Sequence, residues 1–128
     1  MNPTLEVTVP KEFVQMILES AKTLHPKETL FLLRGKTRKD QIKISGIVIP
    51  PSATYGKGFA SLPLIMMPID FSIIGTAHSH PARSSAPSVE DLNHALGKIL
   101  LVAAYPYKGS ECLAVYNRKG EKLKLTIT

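Results

Sequence analysis

Residues 75–81 read Gly75-Thr76-Ala77-His78-Ser79-His80-Pro81, and the apolar lead-in Phe71-Ser72-Ile73-Ile74 before them predicts a buried strand over Phe71–Ala77. Two of the chain's four histidines therefore stand two positions apart where that strand ends. On an extended backbone residues two apart share one face, roughly 6.6–6.8 Å from each other along the chain. Both imidazoles can then address a single ion. Taken alone, the pair has two readings: structural histidines of core or surface, or a metal pair.

Downstream, Ala82–Pro87 reads as a loop, and Ser88-Val89-Glu90-Asp91 opens a predicted helix over Val89–Lys98. A serine followed three residues later by an acid resembles a capping box, although Glu or Gln is usual at that position. The other reading aims Asp91 from the helix start back at the two histidines. Two imidazoles and one carboxylate hold zinc and leave a fourth position for water, the ligand count of a catalytic site. The helix dipole keeps Asp91 ionised in either case.

Upstream, Leu5–Val9 predicts a strand, and Pro10 suits the first turn of a helix. Phe13, Ile17, Ala21 and Leu24 recur at helical spacing, with Val14 and Leu18 widening the face, until Pro26. Thr29–Arg34 (TLFLLR) is a short continuous apolar run, a buried strand. Gly35–Gln41 reads as a basic hairpin loop and Ile42–Ile49 as the returning strand. Pro50–Gly58 is a loop by composition, Phe59–Ile65 a further strand, and Met66-Met67-Pro68 a connection. After the second helix come a buried strand over Ile99–Tyr105, a turn over Pro106–Ser110, and a hairpin of Glu111–Tyr116 with Lys122–Ile127. No repeat or boundary divides the chain. The expectation is a single domain over residues 1–128 of mixed α/β (α+β-like) class, with a mixed central β-sheet flanked by two principal helices.

Composition bounds the function. A chain of 128 residues, 44% hydrophobic and 20% charged, builds one core of ordinary globular character. The net charge of +6 permits a nucleic acid or an acidic protein as partner and decides neither. Arg34, Lys36, Arg38 and Lys39 surround one apparent turn, and Arg118, Lys119, Lys122 and Lys124 another. No aromatic RNA-binding signature or cysteine pattern accompanies them, so they read as solvated turns and nucleic acid is not the expected partner. The single cysteine, Cys112, excludes an internal disulfide and fits a reducing compartment; its strand-like apolar context predicts a packed thiol. No basic segment followed by an apolar stretch opens the chain, and no apolar run is long enough for a bilayer. A cytoplasmic protein without membrane contact is expected.

A hydrolytic zinc site also needs a group that takes a proton from water and delivers it to the leaving amine. Glu12, Glu19, Glu28, Asp70 and Glu90 are candidates, and spacing does not choose among them. Glu28 alone lies at the edge of a strongly apolar element, where partial desolvation raises a carboxyl pKa; its other reading is a solvated acid in a turn. Competing zinc patterns fail. Pro81-Ala82-Arg83 after His80 breaks the β-lactamase-like pattern, the length excludes an amidohydrolase barrel, and neither a cysteine pair nor a His-Glu-x-x-His helix is present.

His78-Ser79-His80-Pro81, six residues, then Ser88-Val89-Glu90-Asp91 resembles the JAMM (MPN+) metalloprotease motif, H-S/T-H-P-x6-S-x-x-D, in residue type, order and spacing. That family also carries a glutamate between its first helix and the following strand, where Glu28 stands. The TLFLLRG strand, Leu62-Pro63-Leu64 and the closing AYPYKGSECLAVYNRKGEKLKL are similar to compact archaeal members, so nearly the whole chain is covered. The resemblance implies a cytidine-deaminase-like architecture and a zinc ion held by His78, His80 and Asp91. It implies Glu28 as general base and then acid, and Ser88 as the group that stabilises the oxyanion. It further implies hydrolysis of an isopeptide bond between the terminal glycine of a ubiquitin-like modifier and a lysine amine, with such modifiers and their conjugates as partners. A homodimer is compatible with it. Desampylation is the leading expectation, ahead of trimming of a sulfur-carrier protein and of a non-catalytic protein-binding module.

Overall fold

The structure, a computed structural model, describes residues 5–49, 54–55, 60–61, 72–81 and 97–128. Strand β1 (Glu6–Val9) leads through Pro10 into helix α1 (Lys11–Leu24). The helix buries Val14, Ile17, Leu18 and Ala21, the expected apolar stripe, and each large side chain there contributes about 1.5–3 kcal/mol. It packs chiefly against β6 (Ile73–His80) and β7 (Ile99–Ala104). Between α1 and β6 in sequence come β2 (Leu30–Arg38), β3 (Gln41–Val48) and a small separate pair, β4 (Thr54–Tyr55) with β5 (Ala60–Ser61). A 3-10 turn (Ser110–Cys112), β8 (Leu113–Asn117) and β9 (Lys122–Ile127) end the chain.

Seven strands close into a ring in the order β1-β3-β2-β6-β7-β8-β9. β1 closes it by pairing in parallel with both β3 and β9. The β6–β7 pair is also parallel, and the remaining neighbours are antiparallel. One core joins the helix stripe to Val7, Phe31, Leu33, Ile42, Ala77, Leu101 and Val115 from the strands. The opposite face of β7 and β8 carries a second buried cluster of Leu100, Val102, Ala114 and Tyr116. A sheet that buries residues of both parities explains why β7 reads as a continuous apolar run rather than an alternating one.

Several expected boundaries move. The segment read as a basic hairpin loop, Gly35–Gln41, is mostly strand: β2 continues to Arg38, β3 starts at Gln41, and only Lys39 and Asp40 turn. Lys36 and Arg38 are polar because that face of the sheet meets water, while Ile42 and Ile44 point inward. Strand β6 runs to His80, so the histidines lie within it rather than just beyond Ala77. Cys112 sits half-buried at the end of the 3-10 turn, not inside a strand. The predicted helix over Val89–Lys98 falls mostly outside the described residues. Its last two positions form a bend, in which Gly97 has a φ of 77° that an α-helix does not accommodate. Of the predicted strand Phe59–Ile65, Ala60–Ser61 is described; it pairs with Thr54–Tyr55 from the segment read as a loop.

Candidate active site

The antiparallel register of β2 on β6 opposes Leu30 to His78. The Ser79 amide donates to the Thr29 carbonyl at 3.2 Å, which carries the register one step further and sets Glu28 opposite His80. Glu28, in the segment leading into β2, therefore comes alongside the β6 stretch that carries His78 and His80, although fifty sequence positions separate the acid from the first imidazole. The two imidazole rings stand 4.9 Å apart, tilted by 45°. Glu28 is 4% exposed and His78 6%, and the Glu28 Oε1 and His78 Nε2 atoms are shut off from solvent. Leu30 on one side and Val102 on the other, both opposite His78, supply apolar walls. The group lies at the carboxyl end of the parallel β6–β7 pair, where α/β sheets commonly open their sites.

Between the histidines, Ser79 points the other way and is fully buried. Its hydroxyl accepts from the Thr29 amide at 2.9 Å and from the Thr29 hydroxyl at 3.1 Å. On the same side Tyr107, 1% exposed, donates its hydroxyl to the His80 carbonyl at 3.0 Å. Burial pushes the Tyr107 phenol above its ordinary value, a hydrogen bond with Ser79 pulls it down, and the Glu28 charge pushes it up again. The phenol keeps its proton and remains a donor at neutral pH. The His25 Nδ1 lies 3.3 Å from the same hydroxyl, and its ring stacks on Tyr105 at 4.5 Å. His25 has no place in the sequence motif, and Pro106–Ser110 reads in the sequence only as a turn. The flanking tyrosines of Tyr105-Pro106-Tyr107 were the signal that an aromatic cluster closes there.

Of the other carboxylates considered as base, Glu12 and Glu19 lie exposed on α1, away from the histidines, and Asp70 and Glu90 fall outside the described residues. Ser88 and Asp91 also lie outside them. Among the described residues no three His, Cys, Asp or Glu side chains gather as a complete metal set. What is present suits zinc: two imidazoles on one face, water-poor walls and a carboxylate on the neighbouring strand. Such a set can hold an electrophilic ion and keep a proton acceptor beside it. No described helix is long and apolar enough to cross a membrane.

Comparison with known proteins bears on the same residues. The model of prokaryotic homologues of the JAB domain matches residues 10–119. A probable metalloprotease of Haloferax volcanii is 26% identical, over 94% of this chain and 79% of that protein. The crystal structure of a JAB1/MPN domain protein from Archaeoglobus fulgidus superposes with a TM-score of 0.65 at 29% identity, covering 97% of this chain and 96% of that one. A structure described as JAMM, a metalloprotease-like zinc site in the proteasome and signalosome, gives 0.66 at 29% identity, with 97% of each chain covered. A protein of Desulfitobacterium hafniense solved in solution shares the fold at 0.68 and 19% identity, over 95% of this chain and 92% of that one.

Proposed function

We propose, from the premise that this chain belongs to the prokaryotic JAB-domain family of JAMM/MPN metalloprotease-like proteins, that it is a zinc-dependent isopeptidase. Its substrates are conjugates in which the terminal glycine of a ubiquitin-like modifier is joined to a lysine amine. The observation that carries the reading is the register that sets Glu28 opposite His80 and beside His78. Three of the five residues named by the resemblance, Glu28 from the segment leading into β2 and His78 and His80 from β6, stand on neighbouring stretches of backbone that are fifty residues apart in sequence.

His78 and His80 would hold the zinc through imidazole nitrogens, with Asp91 assigned as the third protein ligand. Zinc, when bound, supplies an electrophile that brings the pKa of a water toward about 7. The Glu28 carboxylate takes the proton of the attacking water, then returns it to the lysine amine as the C–N bond breaks. The hydroxyl of Ser88 is assigned to the negative charge that develops on the scissile carbonyl oxygen. Leu30 and Val102 keep bulk water from the two imidazoles, which strengthens these interactions.

The test follows release of a lysine-linked ubiquitin-like protein from a conjugate, with and without a zinc chelator, beside Glu28→Gln. Chelator-sensitive release that falls at least about 100-fold in Glu28→Gln is the expected result. Release by Glu28→Gln at the wild-type rate removes the proposed base. No release by a zinc-loaded wild type turns the reading toward trimming of a carrier protein's carboxy terminus, or toward a binding module.

A further inference from the structure

The far side of β6 carries a polar relay with no evident part in metal binding or proton transfer. The His80 carbonyl accepts two hydrogen bonds, from the Tyr105 amide at 3.1 Å and from the Tyr107 hydroxyl at 3.0 Å. Both lone pairs of that oxygen are used, so the peptide that ends β6 is held from the β7 side. One residue earlier, the Ser79 hydroxyl takes the amide and the hydroxyl of Thr29, which fixes β6 to the residue after Glu28. The phenol has a single proton, and His80 receives it. The His25 Nδ1, 3.3 Å away, is therefore the donor to the phenol oxygen, which ties the end of α1 to the same point. Tyr107 is also a non-glycine residue at a φ of 60°, a left-handed conformation that persists only where its surroundings over-determine it.

We propose that Tyr107 is a positioning residue for the metal-binding face, holding the backbone of His80, and through Ser79 and Thr29 that of Glu28, in fixed relation. The inference rests on the zinc reading above and adds to it. Glu28 and His80 share no covalent neighbourhood, so their separation is set by the β2–β6 ladder at its frayed end, where Glu28 has already left β2. A ladder end held only by one amide would let the two strands splay. The relay supplies side-chain bonds where the backbone bonds run out, and buried bonds that are all satisfied act together. It also gives a physical reason for a hydroxyl residue between the two histidines.

The experiment uses Tyr107→Phe, which keeps the ring and removes the hydroxyl, in the full chain loaded with cobalt(II) or zinc. Supporting groups around metal ligands typically matter by about 10–100-fold. The expected result is a metal dissociation constant about tenfold weaker by chelator competition, a shifted visible cobalt(II) spectrum, and kcat about tenfold lower with KM within about twofold. Thr126→Val is the control. It removes a hydrogen bond on the β1–β9 seam, the part of the ring farthest from β6, and should leave all three quantities unchanged. Should Tyr107→Phe fail to fold, Ser79→Ala interrupts the same relay and should move the same quantities. A Tyr107→Phe protein equal to wild type in spectrum, metal affinity and kcat overturns the role, as does a Thr126→Val protein that moves them equally. A wild type that binds neither metal overturns the zinc reading and this inference with it. A wild type that binds metal but cleaves no conjugate overturns only the isopeptidase reading, and the cobalt spectrum still decides the role of Tyr107.

Discussion

Gly75 opens the heptapeptide that ends in the histidines, and its lack of a side chain is required by packing. A Cβ built there would meet the Ile99 carbonyl oxygen at 2.4 Å and the Ile99 Cγ1 at 2.5 Å, across the parallel β6–β7 register. The obstructing oxygen is backbone and cannot rotate away. Gly75→Ala must therefore push the two strands apart, at a cost of about 1–3 kcal/mol or more. Urea unfolding should show a lower midpoint at unchanged slope, and the slope is what distinguishes a clash in the folded state from a change in the unfolded ensemble. Since β6 carries both histidines five residues or fewer away, metal affinity should fall in the same variant. By contrast, Glu28→Gln alters one atom of a buried group without a backbone clash, and should cost no more than about 1–3 kcal/mol at unchanged slope in the same unfolding series.

At the scale of elements, the β2–β3 ladder sets Lys36 directly opposite Lys43, both exposed. Like charges facing each other across an antiparallel pair are destabilising, and opposite charges contribute roughly 0.2–1 kcal/mol. Lys43→Glu should raise thermal stability by that order, and the gain should shrink as salt screens the pair, which a melting series in sodium chloride would read. On the opposite seam, the hydrogen bond from Thr126 holds the Glu6 carboxyl below its ordinary 4.5, aided by Lys124 and opposed by partial desolvation. A carboxyl lowered on folding stabilises above its unfolded value, and that contribution is lost as pH falls through the folded value. Wild type should therefore lose more stability on acidification below about pH 4.5 than Thr126→Val does, as melting at stepped pH would show. The sequence made α1 legible because its period repeats over several turns, and made the histidine pair legible because a spacing of two needs no partner strand. It hid the length of β2, because a solvated strand face and a loop share the same basic residues. It left Glu28 undecided among five acids because the choice rests on a register between strands fifty residues apart. Lys36 shows the same limit: it looked like a solvated turn residue until the ladder set it opposite Lys43 of the returning strand.

For the whole molecule, the ring of strands makes the site a property of the closed fold. Glu28 comes from the segment before β2, the histidines from β6, and their supports from the ends of α1 and β7, so an unfolded chain offers no assembled metal site. A ligand that binds only the folded form stabilises by RT ln(1 + [L]/Kd), about 2.7 kcal/mol at one hundred times Kd. For a domain of this size that corresponds to roughly 10 °C in melting temperature. Zinc in that excess should raise the wild-type Tm by such an amount, and a chelator should reverse it. His80→Ala and Asp91→Ala should show almost none of the shift, because each removes an assigned ligand. Glu28→Gln should keep nearly all of it while losing turnover, because a base beside the metal contributes to the reaction and not to holding the ion. If Glu28→Gln instead loses the shift together with activity, the carboxylate opposite His80 is a ligand, and the proton acceptor must be sought elsewhere on that face.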